Sequence, residues 1–113
     1  MPRSNAAKGA YYKGKTKLWL QAQGYQVADL EVVRWIFVKG GRLPVKRDQF
    51  GADLLAVNAT EIRFVQVKSG EAARGGTFPA ARRTFGEFVF PPSAPCCVIA
   101  WPPRARTPRI VVM

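Results

Sequence analysis

The chain has 113 residues and a formal net charge of +11, from 18 Lys and Arg against seven Asp and Glu. That length fits one small domain over residues 1–113, and 48% apolar residues predict a packed core rather than disorder. With no histidine, Ser-His-Asp triads, Cys-His dyads, HExxH zinc sites and a histidine general base are excluded.

Taken in chain order, residues 6–23 read as a helix, with Tyr11, Leu18 and Ala22 on one face and Lys13, Lys17 and Gln21 on another. Ser4 or Asn5 would cap its start, and Gly24 sits where a C-terminal glycine belongs. Residues 25–38 are strand-rich, as one long strand or two broken ones, and Lys39-Gly40-Gly41-Arg42-Leu43-Pro44 reads as a flexible basic loop. Residues 52–57 and 61–68 form a predicted hairpin around Asn58-Ala59-Thr60. A glycine-rich loop over 69–79 leads to a short helix over 80–88. Strands over 96–101 and 109–112 close the domain, joined by the proline-rich link 102–108. The expected order is α-β-β-β-α-β-β, an α/β or α+β domain with a sheet flanked by helices.

No apolar run approaches the roughly 18–20 residues a bilayer needs, so no membrane association is expected. The basic opening segment lacks the apolar stretch of a secretory signal. Cys96 and Cys97 are adjacent, which fits disulfide geometry poorly, and two cysteines without histidine cannot close a zinc site. They read as small buried residues of a chain kept in a reducing, cytoplasmic setting.

Charge is distributed unevenly. No acid precedes Asp29, whereas Lys8, Lys13, Lys15 and Lys17 do; no acid follows Glu87, while Arg104, Arg106 and Arg109 do. Arg74, Arg82 and Arg83 form a third basic group. Such an excess on a small domain points to a polyanionic partner, nucleic acid being the usual one.

The chemistry concentrates on Asp48-Gln49-Phe50-Gly51-Ala52-Asp53 and Gln66-Val67-Lys68. Strand alternation places Gln66 and Lys68 on one face, and a hairpin paired near residues 57 and 61 sets Asp53 opposite residues 65–67. A carboxylate and an amide oxygen suit a hard cation such as Mg²⁺, and a neighbouring ammonium suits a phosphate's developing charge. An ordinary strand pair with a buried acid–lysine contact would give the same pattern.

Asp53, Gln66 and Lys68 on such a hairpin, after an α-β start carrying Lys8-Gly9-Ala10 and Gly24-Tyr25, resemble the PD-(D/E)XK nuclease superfamily. The variant is the one with glutamine in the second acid's place. Arg47-Asp48-Gln49-Phe50-Gly51-Ala52-Asp53-Leu54-Leu55-Ala56 is similar to the version in archaeal-type Holliday junction resolvases and related phage nucleases. The resemblance covers most of residues 8–70. It implies a restriction-endonuclease-like core with a central mixed sheet, and Mg²⁺-dependent cleavage of DNA, with Mn²⁺ able to substitute. Its expected substrate is the four-way junction; its expected setting is a phage or prokaryotic cell.

Carried over by position, Asp53 and Gln66 would hold the metal with the main-chain carbonyl of Val67, and Lys68 would be the catalytic lysine. The family's first-helix glutamate is missing: its place is taken by Lys13. Either Glu31 or Asp48 supplies the missing carboxylate, or DNA phosphate completes the shell, or the protein binds DNA without cutting it. Phosphate contacts would come from Lys8, Lys13, Lys15, Lys17, Arg47, Arg74, Arg82 and Arg83. Two symmetric incisions imply a two-fold homodimer, with Trp35, Ile36, Phe37, Phe88 and Phe90 as interface candidates. A nicking or restriction-type enzyme on ordinary duplex, or a silent DNA-binding accessory, are the rival readings.

Overall fold

The computed structural model describes residues 5–113, apart from the side chains of residues 5–7, 46 and 47. The cap expected of Ser4 or Asn5 therefore lies outside the described residues. The fold is α+β. Helix α1 spans Asn5–Ala22, followed by β1 (Gln26–Asp29), β2 (Glu31–Val38), β3 (Gly41–Asp48), β4 (Leu54–Val57) and β5 (Ile62–Ser69). After a 3-10 turn at Gly70–Ala73 come helix α2 (Pro79–Phe85), β6 (Cys96–Trp101) and β7 (Arg109–Val112). Five strands form a mixed sheet in the order β1-β4-β5-β6-β7, in which only β5 and β6 run parallel. The crossover between those two parallel strands carries α2, as a parallel pair requires.

Strand alternation builds a core on each face of this sheet. Leu54, Ala56, Val65, Cys97 and Ile99 meet Leu20 of α1, while Val98 and Ala100 meet Phe78 and Ala81, and Cys96 meets Phe85. Strand β6 is buried along its whole length, as a strand covered on both faces must be. Cys96 and Cys97 are free thiols within it, and burial pushes the Cys97 thiol up to about 11.

Three sequence expectations are corrected. The stretch 39–44 is not a loop: Lys39-Gly40 is a two-residue hairpin turn with Gly40 at φ 95°, and β3 begins at Gly41. Gly41 and Pro44 hid that strand, but proline is tolerated where a strand has a free edge. The helix does not bury Tyr11, Leu18 and Ala22, which are exposed; among its described residues Thr16 and Leu20 are the buried ones. Trp101 selects that face, because its indole N–H donates to Thr16 Oγ1 at 2.8 Å while the hydroxyl donates to the Tyr12 carbonyl at 2.6 Å. Finally, α2 stops at Phe85 and not at residue 88, with the Gly86 N–H closing its last turn on Arg82.

Strands β2 and β3 form a separate two-stranded sheet. This arm continues the β1–β4 pairing outward, and eight residues per strand make it about 26 Å long. Among the described residues no helix is long and apolar enough to cross a membrane.

Candidate functional site

The site lies where the long hairpin is broken. Asp29 pairs with Leu54 and Glu31 pairs with Asp48, so Leu30 alone faces five residues, Gln49–Asp53. Such an excess on one arm re-aims side chains and ends regular pairing. The Leu30 N–H donates to the Asp53 carbonyl at 2.9 Å, and the Gln49 N–H to the Leu30 carbonyl at 3.1 Å. Phe50 and Gly51 turn the loop with φ of 54° and 71°. Gly51 is required there: a Cβ would stand 2.8 Å from Thr84 Cγ2 on α2.

This break brings three carboxylates together. Glu31, Asp48 and Asp53 each offer an oxygen, all within 4.8 Å of one another. Like charges directly opposite across a strand pair are unfavourable, so Glu31 and Asp48 would not be placed so without compensation. Part of it comes from α1: Lys13 Nζ lies 3.2 Å from Glu31 Oε2 and 2.9 Å from Asp29 Oδ1. Part comes from the backbone, since the Val67 N–H donates to Asp53 Oδ2 at 2.8 Å. Burial works against the charge of Lys13, but its hydrogen bonds to Asp29 and Glu31 outweigh that and hold its pKa above the ordinary lysine value.

Asp48 carries the cost of the crowding. Its residue is solvent-accessible, yet the protein around its carboxyl desolvates it. Together with the charge and hydrogen bond of Asp53 and the charge of Glu31, this pushes its pKa up to about 7. The folded state thus binds this proton more tightly than the unfolded chain, whose value is near 3.8. That contribution to stability is complete below the unfolded value and is lost as pH rises through the folded one. In EDTA, the melting temperature is expected to fall as pH is raised from about 4 to about 7, and Asp48→Asn should flatten that fall. An unchanged slope in the variant would remove Asp48 as its source.

Glu31, Asp53 and Lys13 line one hollow of about 270 Å³ together with Gly9, Ala10, Val67 and Ser69. A second hollow, of about 720 Å³, shares Gly9 and Ser69 with it and is lined by Lys8, Tyr12 and Arg104. An acidic pit thus opens beside a wider trough that Lys8, Arg104 and Glu71 border.

The sequence-predicted residues divide between the two faces of the sheet. Asp53 joins both Glu31 and Asp48, the two alternatives for the missing acid, and Val67 lines the same hollow. Gln66 and Lys68 alternate with Val65 and Val67 and leave β5 on the α2 face; neither lines the acid hollow. Gln66 is buried, and its Nε2 donates to the Gly51 carbonyl at 2.6 Å, so it pins the broken loop that carries the acids. Lys68 borders a hollow with Arg74 and Phe78.

Of the expected phosphate contacts, Lys8 and Lys13 stand at the two joined hollows. Lys17 pairs with Asp29, and Lys15 lies 4.7 Å from the Trp101 ring centroid. Arg74 pairs with Glu71, and Arg82 and Arg83 lie on α2, across the sheet from α1. The Arg47 side chain lies outside the described residues. Arg104, one of the arginines after Glu87 in the uneven charge pattern but not among the expected phosphate contacts, borders the second hollow. Comparison of the chain with protein-family models, curated proteins and solved structures returns no match.

Proposed function

We propose that the protein is a divalent-metal-dependent DNA endonuclease with a restriction-endonuclease-like core, and that its substrate is the four-way junction. The observation that carries this reading is the convergence of Glu31, Asp48 and Asp53, two of which line a hollow that shares Gly9 and Ser69 with a wider trough bordered by Lys8 and Arg104. Three hard oxygen donors of excess negative charge fit Mg²⁺ or Mn²⁺; desolvation first, and then the Asp53 and Glu31 charges, raise the pKa of Asp48, and a cation would offset those charges. Held by these three residues, such an ion would supply Lewis-acid activation of the phosphate and of a water molecule.

The remaining work falls to the chain's own groups. Lys8 and Arg104 hold flanking phosphates in the trough. Lys13 presents its ammonium inside the acid hollow, where the charge of a transferring phosphate would develop. Gln66 keeps the Gly51 loop, and with it Asp48 and Asp53, in place. Lys13 thereby takes the part that the family resemblance gives to Lys68.

Cleavage of a synthetic four-way junction and a matched linear duplex, with Mg²⁺ and with EDTA, tests the reading. Mg²⁺-dependent nicks near the branch point are expected, and Lys13→Met should slow them more than Lys68→Met does. One observation favours a second reading, a DNA-binding protein without cleavage: the Lys13 ammonium already pairs with Glu31, one of the three acids. Tight junction binding with no nicking in either metal would establish it.

A further inference from the structure

The β2–β3 arm has two unlike faces. Directly opposed residues share a face, as do alternate residues of a strand. Glu31 and Asp48 at the base are therefore continued outward by Val33, Trp35 with Pro44, and Phe37 with Arg42. The other face carries Val32, Ile36 and Val38 beside Leu43 and Val45, with Arg34 among them opposite Val45. Only the face that starts at the acids carries aromatic rings, and they are open to solvent: Trp35 is 56% exposed and Phe37 89%. The Arg42 guanidinium lies 5.1 Å from the Trp35 ring centroid. Between Val32 and Arg47 the sequence has no acid but five cations: Arg34, Lys39, Arg42, Lys46 and Arg47.

We infer that Trp35 and Phe37, with Arg42, form a stacking platform for unpaired or unstacked bases of a DNA strand. Three features select nucleic acid over a second copy of the chain as the occupant. Beyond the acids at its base the arm is cationic, which would repel another copy of itself and attract a polyanion. Its exposed rings are planar and flanked by guanidinium, the combination on which successive bases stack without sequence preference. The platform is also continuous with the acids: four and six residues along β2 from Glu31 put Trp35 and Phe37 about 13 and 20 Å away. A strand whose bases lie on the arm would lead its backbone toward the acid hollow. The inference deepens the nuclease reading, and rests on it only for the position of the phosphate to be cut. A branch point, where base faces are exposed, would be favoured over continuous duplex on this account.

Binding in EDTA tests the platform apart from cleavage. Fluorescence anisotropy would be measured on the full chain with a four-way junction, a single-stranded oligonucleotide and a linear duplex. W35A/F37A should weaken junction and single-strand binding at least tenfold and duplex binding less than twofold, with an unchanged melting temperature. W35Y/F37Y, which keeps the rings, should restore affinity. Unchanged binding by W35A/F37A, or an equal loss on all three DNAs, would overturn the platform. So would sedimentation showing a parent dimer that the alanine variant splits, since the occupant would then be a second copy. A parent that binds through the platform but nicks nothing with Mg²⁺ would end the nuclease reading and leave the platform standing. A parent that nicks normally with insensitive arm variants would do the reverse.

Discussion

Asp53→Asn is expected to lower Mg²⁺-dependent junction cleavage by at least about 100-fold, the upper range for losing even an indirect partner of a metal. Asp53 is fixed by two backbone donors. Its main chain accepts from the Leu30 N–H, and its side chain accepts from the Val67 N–H. Asparagine keeps the size and an oxygen for the Val67 bond, so the fold should survive. What it removes is one negative charge from a group of three carboxylates held within 4.8 Å. Repulsion within the group falls, and the attraction for a divalent cation falls with it. Junction binding in EDTA should be unchanged or tighter, because DNA phosphates then approach a less acidic pit. Cleavage at the parent's rate by Asp53→Asn would show that the site is elsewhere.

The second large effect is on stability. Trp101→Ala should destabilise the domain by roughly 3–5 kcal/mol, the usual cost of truncating a buried tryptophan. That is a large part of the roughly 5–15 kcal/mol that holds a domain together. Trp101 is 1% exposed at the end of β6, and it is a hydrogen-bonded point where α1 is fastened to the sheet. Its ring also lies 6.1 Å from that of Tyr12 and under the Lys15 ammonium. Phenylalanine keeps most of the apolar contact and loses the indole N–H, while the Thr16 hydroxyl still donates to Tyr12. Trp101→Phe should therefore cost only about 1 kcal/mol, the net worth of one hydrogen bond. Urea unfolding separates the two variants. A Trp101→Ala loss below 1 kcal/mol would mean that α1 is held by other contacts. Because α1 also carries Lys13 to the acids, loosening it should open the acid hollow before the sheet melts.

The sequence by itself determined whatever depends on neighbours along the chain. Helix α1, the β4–β5 hairpin around Asn58-Ala59-Thr60, and the closing strands β6 and β7 all follow from local periodicity and turn residues. The broken reading of residues 25–38 is also what forms, as β1 and β2. Asp53, and Glu31 and Asp48 as alternatives for a missing acid, were legible because so few acids exist to choose from. Tertiary structure decided the rest. Strand β3 pairs with β2 through backbone groups that Gly41 and Pro44 do not advertise. The buried face of α1 is set by Trp101, 85 residues from Thr16, and no helical period contains that partner. Glu31 and Asp48 both join Asp53 because five residues oppose one at Leu30, a register fact that composition does not encode. The same alternation that put Gln66 and Lys68 together sends them to the α2 face, since Val65 and Val67 have the apolar side chains that α1 buries. Parity along a strand is local, but which parity faces the site is settled by what packs on each side of the sheet.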